Sequence, residues 1–496
     1  MNSSSKIVKE ATVSFTGMTF GQVIRYVFTV LLARLVGADY LGIYSLANSL
    51  TRIFEVFGKV GLDAGIMRFV STGDDRHSRI ADIQAALKMS IIFSFFLMVT
   101  QILLAGWIVM RFFHGNDILR MTLLIFAVSL PFSVFILVAG SASQGFQLLK
   151  YKIFVSQILV PIVLLLAMIG VYKTGYVTYT ISLPILISSV AGSVVIFYFL
   201  TKQAGITLSG IAASRFNRAL LRFSYPLMFI SILGTIMHWT DILMLGYFYD
   251  ETVVGLYHPA ARTAGLIRSV MLSFTGIFAP MMGSLFASHD QQGMQKLFQL
   301  IVRWILTIAG PIAIIFLLFP GKTMLLFGNE FLASRLVLIV LTLAVLIQAF
   351  FGPGGSVLTM TGYPKYNLMN SIITIIVNIS LNIMLIPKYG AIGAAMATLA
   401  SFFLIGFIRL FEIKHLIQIH PFSLKLLKPI TAGGITIVGI MFIRPWFMPF
   451  HTVLTLVLAG IAIVIIFGGF LWLMGFDEDD KSVLGGLTMI KDRIYS

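Results

Sequence analysis

Apolar residues in this chain come in runs of about twenty, separated by short polar stretches. At 1.5 Å per residue, a helix of that length matches the hydrocarbon core of a bilayer. About fourteen helical spans are predicted on this basis, at 13–36, 40–61, 87–111, 118–141, 152–172, 178–201, 222–248, 252–286, 297–319, 334–360, 367–387, 391–412, 427–447 and 452–475. The longest polar segments are 67–86, 202–221, 413–426 and the tail from Asp477. The first run is too long for the core of a signal peptide and contains Arg25 and Arg34. It is therefore read as a retained membrane helix.

One stretch breaks the pattern. "LANSLTRIFEVFGKVGLDAG" (46–65) carries Asn48, Arg52, Glu55, Lys59 and Asp63 inside an otherwise apolar span. At 100° per residue these positions fall within an arc of roughly 80° on one helix face. A charge at the centre of a membrane helix costs about 2.5–3.5 kcal/mol on insertion scales, so such residues face a bundle interior or a wet cavity.

Composition fixes the class. The 496 residues are 58% hydrophobic and only 11% charged, with a mean hydropathy of +0.98. A soluble domain carries about 25% charged residues, so this is an all-α, multi-pass membrane protein. With no Cys, disulfides, thiolate metal sites and Cys nucleophiles are excluded. The net charge of +16 reflects cytoplasmic loops and anionic lipid rather than nucleic acid. Both termini and the even-numbered loops hold about 22 Lys and Arg, against about 8 in the odd-numbered loops. Arg76, Arg79, Lys150, Lys152, Arg215, Arg218, Lys425 and Lys428 belong to the richer set. Both termini are predicted to be cytoplasmic, in the cell membrane.

An internal repeat adds topology. "GADYLGIYSLA" after the first span resembles "YDETVVGLYHPAAR" after the seventh, with Gly42-Ile43-Tyr44 matching Gly255-Leu256-Tyr257. "QGFQLLKY" (144–151) resembles "TGYPKY" (361–366) at nearly the same offset. An offset of six spans keeps the repeats parallel, which implies a pseudo-two-fold axis along the membrane normal with the site between the halves. The predicted organisation is an N-lobe at 1–203, a C-lobe at 204–414, and two further helices with a tail at 415–496.

The remaining intramembrane charge follows this plan. Arg25 lies halfway along the first span, His238 and Asp241 in the seventh, Arg262 and Arg268 in the eighth. Spans 1, 2, 7 and 8 are thus predicted to line a net basic cavity suited to an anionic headgroup such as a pyrophosphate. Arginine fits that role because its planar fork donates two parallel hydrogen bonds and keeps its charge when buried. The competing reading is structural: Glu55 pairs with Arg52 and Lys59, and Asp63 with Lys59, merely holding helices together. Arg268 could snorkel, and Asp241 could be a proton or cation site or a helix-end residue. Pro226, Pro259, Pro280, Pro311 and the "GPGG" at 352–355 are candidate helix breakers.

Enzyme signatures are missing. "PGKT" (320–323) lacks the upstream Gly of a phosphate-binding loop, so no ATP chemistry is expected and any drive comes from an H+ or Na+ gradient or from substrate disposal. The acidic clusters "GDD" (73–75) and "DEDD" (477–480) read as solvated surface, and no other cofactor or metal site is predicted.

Several longer segments resemble the multidrug/oligosaccharidyl-lipid/polysaccharide (MOP) superfamily, in its polysaccharide-biosynthesis (Wzx-type) flippase branch. They are "LLARLVGADYLGIYSLANSLTRIFEVFGKVGLDAGIMRFVS" (31–71), "GLYHPAARTAGLIRSVMLSFTGIFAPMMGSL" (255–285), "TGYPKYN" (361–367) and "PKYGAIGAAMATLAS" (387–401). The resemblance implies two six-helix lobes in a V, a central cavity and alternating access. It also implies headgroup ligands at Arg25, Arg52 and Arg262, by similarity to lipid-II flippases, although the spacing around Arg262 departs by about one residue from the family pattern. Asn48, Lys59 and Arg268 complete the candidate substrate-binding set. Glu55, Asp63, Asp241 and His238 are the candidate coupling or gating groups. The implied substrate is a polyprenyl-pyrophosphate-linked oligosaccharide, with membrane lipids and glycosyltransferases or a polymerase of a polysaccharide pathway as partners. A cation-coupled drug exporter of the same fold (a MATE relative) is the alternative, less favoured because the first helix lacks a carboxylate. A non-transporting scaffold is the third reading.

Overall fold

The computed structural model describes residues 3–72, 75–146 and 148–475, with side-chain surroundings from residue 16 onward, Ile230 excepted. The "DEDD" cluster, and Gly73 and Asp74 of "GDD", lie outside the described residues. Helix dominates because lipid offers the backbone no hydrogen-bond partner, so each span must satisfy its own N–H and C=O groups. Twelve helices among the described residues are long and apolar enough to cross a membrane.

Two of those twelve are double-length, which restores the fourteen spans read from the sequence. Helix α1 (Ser3–Lys59, 57 residues) is broken at Gly37, whose φ of 80° only glycine adopts freely. Val60 and Gly61, both at positive φ, separate it from α2 (Leu62–Thr72). There follow α3 (Arg76–Phe112), α4 (Asp117–Gly145), α5 (Leu149–Tyr172), α6 (Val177–Ala204), α7 (Arg218–Phe248), α8 (Glu251–Ala287), α9 (Gln291–Leu318) and α10 (Glu330–Met360). Helix α11 (Pro364–Leu416, 53 residues) bends at Gly390, φ 56°. Helices α12 (Leu424–Phe447) and α13 (Thr452–Leu473) complete the chain. "GPGG" interrupts α10 between Phe351 and Gly354, whereas Pro226 and Pro311 are absorbed inside α7 and α9.

The predicted polar segment 67–86 is largely helical. Helix α2 runs to Thr72 and α3 starts at Arg76, eleven residues before the apolar run. Polarity marks where the membrane ends, not where the helix does. Helix α3 also shows its lipid face: Phe96, Leu103, Trp107 and Met110 form one exposed stripe.

The chain divides into two compact units, Met1–Pro259 with Ile379–Ala394, and Ala260–Asn378 with Ala395–Ser496. In the first, Leu62 and Ile66 of α2 pack with Leu87, Leu130, Val134 and Leu200 in a fully buried core. In the second, Phe278, Phe298, Val302 and Leu358 form one core, and α12 and α13 form another around Ile440 and Ile463.

Candidate functional site

The charged stripe starts on one helix and ends on another. Asn48, Arg52, Glu55 and Lys59 occupy the last turns of α1, and Asp63 opens α2 beyond the Val60–Gly61 break. Gly61 is required there, because a Cβ would run into the carbonyl oxygen of Ser224 on α7. Two ion pairs result: Arg52 to Glu55 at 2.6 Å and Lys59 to Asp63 at 2.7 Å. A Glu55–Lys59 pair, which the structural reading of the stripe expects, is not formed among the described residues. The rotation of this segment is fixed by Gln101 of α3, which donates to Thr51 Oγ1 at 2.9 Å and to Leu123 O of α4 at 3.2 Å.

The Arg52–Glu55 pair is lopsided. The Glu55 side chain is 9% exposed and that of Arg52 48%. The carboxylate is sunk against the helix bundle, and the guanidinium stands out from it with donors to spare.

Arg25 is held differently. Its guanidinium donates twice to Gln157 Oε1 (2.9 and 2.8 Å) and once to Ser156 O (2.9 Å). Both acceptors are neutral, and both lie in a π-helical turn of α5, Phe154–Leu159. A π turn shifts the ladder and frees a carbonyl for outside donors, a feature that recurs at functional positions. Nothing in the apolar run around Gln157 announces the turn. An isolated Gln in a membrane span is the available signal.

Asp241 of α7 sits in a second polar node. Tyr257 of α8 donates to one carboxylate oxygen at 2.7 Å, and Asn382 of α11 donates to the other at 2.8 Å. Asn382 is fully buried. The sequence alone leaves Asp241 open between an ion site and a helix-end residue, and it does not single out the two donors. His238, one turn earlier, is exposed and meets Trp239 edge-on with ring centroids 4.7 Å apart.

Lys152, counted with the loop cations although it opens the predicted span 152–172, lies inside α5. It donates to Gln144 Oε1 at 2.8 Å and Ser141 Oγ at 3.3 Å, within electrostatic reach of Asp63 and Lys59. Lys59, Asp63 and Lys152 therefore form a three-charge group near the α1–α2 break. Arg262 and Arg268 lie on the part of α8 that belongs to the second unit. Arg268 Nε is buried without a hydrogen-bond partner among the described residues. No group of three or more His, Asp or Glu among them is arranged to hold a metal.

With this architecture in place, comparison with known proteins is direct. The chain matches the family model described as "Polysaccharide biosynthesis protein" over residues 7–286, and that of MatE over residues 226–384. It belongs to the polysaccharide biosynthesis protein family. An uncharacterised membrane protein of Methanocaldococcus jannaschii is 23% identical over 471 residues, 90% of this chain and 91% of that protein. The probable flippase AglR of Haloferax volcanii is 28% identical over 312 residues, 61% of this chain and 62% of that protein. Among solved structures, the lipid II flippase MurJ in an inward closed conformation superposes with a TM-score of 0.69 at 16% identity, over 93% of this chain and 99% of that one. At that identity the likeness concerns the fold. With twelve helices among the described residues long and apolar enough to cross a membrane, the protein is a multi-pass membrane protein of that family.

Proposed function

We propose that the protein flips a polyprenyl-pyrophosphate-linked oligosaccharide from the cytoplasmic to the outer leaflet of the cell membrane by alternating access. Arg25, Arg52 and Arg262 bind the pyrophosphate, with Asn48, Lys59 and Arg268 as further polar contacts. The observation that carries this reading is the lopsided Arg52–Glu55 pair. Both residues belong to α1, so the pair joins no helices; it buries the anion and presents the cation. Two relatives in Haloferax volcanii support the reading: AglR, a probable flippase, and Agl15, a probable low-salt glycan biosynthesis flippase, which bears on the substrate class. The termini are cytoplasmic in this reading. Glycosyltransferases or a polymerase of the same pathway are the partners.

The coupling groups are Glu55, Asp63, Asp241 and His238, with Asp241 foremost. Tyr257 and Asn382 hold its two oxygens inside a membrane helix bundle, a placement that suits a carboxylate meeting a coupling cation. No ATP step is involved. The same node, together with the MatE match over 226–384, favours a second reading, a cation-coupled exporter of small molecules. Binding of a short polyprenyl pyrophosphate to the purified protein separates the two. The flippase reading expects binding that falls in each of the Arg25, Arg52 and Arg262 single Ala variants. Unchanged binding in all three moves the assignment to the exporter.

A further inference from the structure

A cavity of about 650 Å³ opens on the first unit, with Thr16, Phe20, Lys150, Phe154, Ile158 and Phe199 among its walls. It lies within the size range of ligand pockets, about 300–1,000 Å³. Gly17 lines it, and Gly21 lies one turn further along α1. A Cβ on Gly17 would run into the side chain of Ile153, and a Cβ on Gly21 into the carbonyl oxygen of Gln157. The small-xxx-small spacing of "GMTFG" therefore lets α1 and α5 touch along a seam. Beside that seam Phe20 and Phe154 are 49% and 41% exposed, and the slot lies between them.

The slot is apolar along its length and cationic at one end. Lys150 is the second residue of α5, and its ammonium lies 4.9 Å from the Tyr151 ring centroid. The described walls carry no carboxylate and no arginine. Ile158 lies eight residues further along α5, about 12 Å deeper at 1.5 Å per residue. Charge at the helix end and apolar walls below it follow the order of a membrane lipid.

We infer that this slot binds an anionic phospholipid of the surrounding leaflet, its phosphodiester at Lys150 and one acyl chain between Phe20, Phe154 and Phe199. A single ammonium suits a monoanionic phosphodiester. A pyrophosphate calls for the paired donors of arginine, and the slot has none. The bound chain braces the seam at Ile153 and Gln157, and so holds Ser156 O and Gln157 Oε1 where they receive Arg25. The assignment stands apart from the transported substrate.

The test uses full-length protein, delipidated in a neutral detergent and resupplied with phosphatidylglycerol or phosphatidylcholine, with retained lipid counted by native mass spectrometry. The wild type is expected to prefer phosphatidylglycerol by about fivefold, the worth of one lysine against an anionic headgroup. Lys150→Ala should erase the preference and Lys150→Arg keep it. Ile158→Trp, which fills the slot, should lower retention of both lipids. Size exclusion confirms that each variant is folded, and the exposed Lys150 variants decide the outcome if Ile158→Trp is not. An unchanged preference in Lys150→Ala overturns the inference. So does displacement of phosphatidylglycerol by an equal concentration of polyprenyl monophosphate, which would assign the slot to the carrier lipid.

Discussion

Gly42 and Gly255 meet reciprocally across a local two-fold axis. A Cβ on Gly42 would strike the carbonyl oxygen of Glu251 and lie 3.0 Å from the amide nitrogen of Gly255. A Cβ on Gly255 would strike the carbonyl oxygen of Ala38 and lie 3.0 Å from the amide nitrogen of Gly42. Thr252 donates to Asp39 at 2.6 Å across a separation of 213 residues, the same offset that relates the two glycines and also Ala38 to Glu251. Residue i touching j while j's equivalent touches i's is the signature of a two-fold interface. The two sequence repeats therefore pack against each other through equivalent backbone positions.

This contact makes the sign of a substitution predictable. In an exposed helix, Gly→Ala stabilises by about 1 kcal/mol. At Gly42 or Gly255 the added methyl meets backbone that cannot rotate away, and overpacking of this kind costs about 1–3 kcal/mol. Gly42→Ala and Gly255→Ala are expected to lower the melting temperature in detergent. A rise in either would mean that the helices separate at no penalty there.

The helix count was legible because each span had to satisfy one length rule, and the repeat was legible through Gly42 and Gly255. Arg25 and Arg52 could be picked out because a lone charge in an apolar run is costly wherever it points. Their surroundings were not legible. Gln157 meets Arg25 from 132 residues away, as Asn382 meets Asp241 from 141, and no local periodicity encodes which faces meet. The π turn of α5 and the break at Val60 are backbone irregularities inside apolar or charged stretches, where propensity is nearly silent. Lys152 was counted with the loop cations because a basic residue at a helix end looks the same whether it faces water or turns inward to Gln144.

Arg52 and Glu55 should be tested together. Arg52→Ala leaves the buried Glu55 carboxylate without its cation, a loss of about 1–3 kcal/mol for an unsatisfied buried group. Loss of transport in that variant alone is ambiguous. Arg52→Ala combined with Glu55→Gln should recover the melting temperature and still fail to move substrate in a liposome assay. Wild-type transport by the double variant would reduce Arg52 to a structural role within α1.

Val60 is a β-branched residue at φ 48°, a conformation that disfavours L side chains by roughly 1–2 kcal/mol. Val60→Gly is expected to raise the melting temperature or leave it unchanged. Gly61→Ala should lower it, because of the Ser224 carbonyl. Equal losses from both would show that the Val60 side chain contributes packing larger than its strain.

Asp241 gives an ion-dependence prediction. Asp241→Asn removes the titrating group but keeps the shape, and should uncouple transport from applied Na+ and pH gradients. Asn382→Ala, which removes one donor to this carboxylate, should weaken the dependence without abolishing it. Transport that still follows the gradients in Asp241→Asn would move the coupling role to another carboxylate.

Arg25 offers the sharpest separation of a binding role from a structural one. Three of its hydrogen bonds end on an amide oxygen and a backbone carbonyl, and these neutral acceptors compete weakly with a pyrophosphate for the same donors. Gln157→Glu keeps the size and the contact but places a carboxylate against the guanidinium. A charge-assisted bond is worth roughly twice a neutral one, so the arginine is held harder. The melting temperature should stay the same or rise, while affinity for a polyprenyl pyrophosphate falls about tenfold, equivalent to 1.4 kcal/mol. Gln157→Leu removes the competitor and leaves Ser156 O in place, so affinity should be kept at lower stability. Stability and affinity moving in opposite directions in Gln157→Glu marks Arg25 as a ligand that must be released from α5 to work. If both move together, the clamp is structural and the headgroup binds elsewhere.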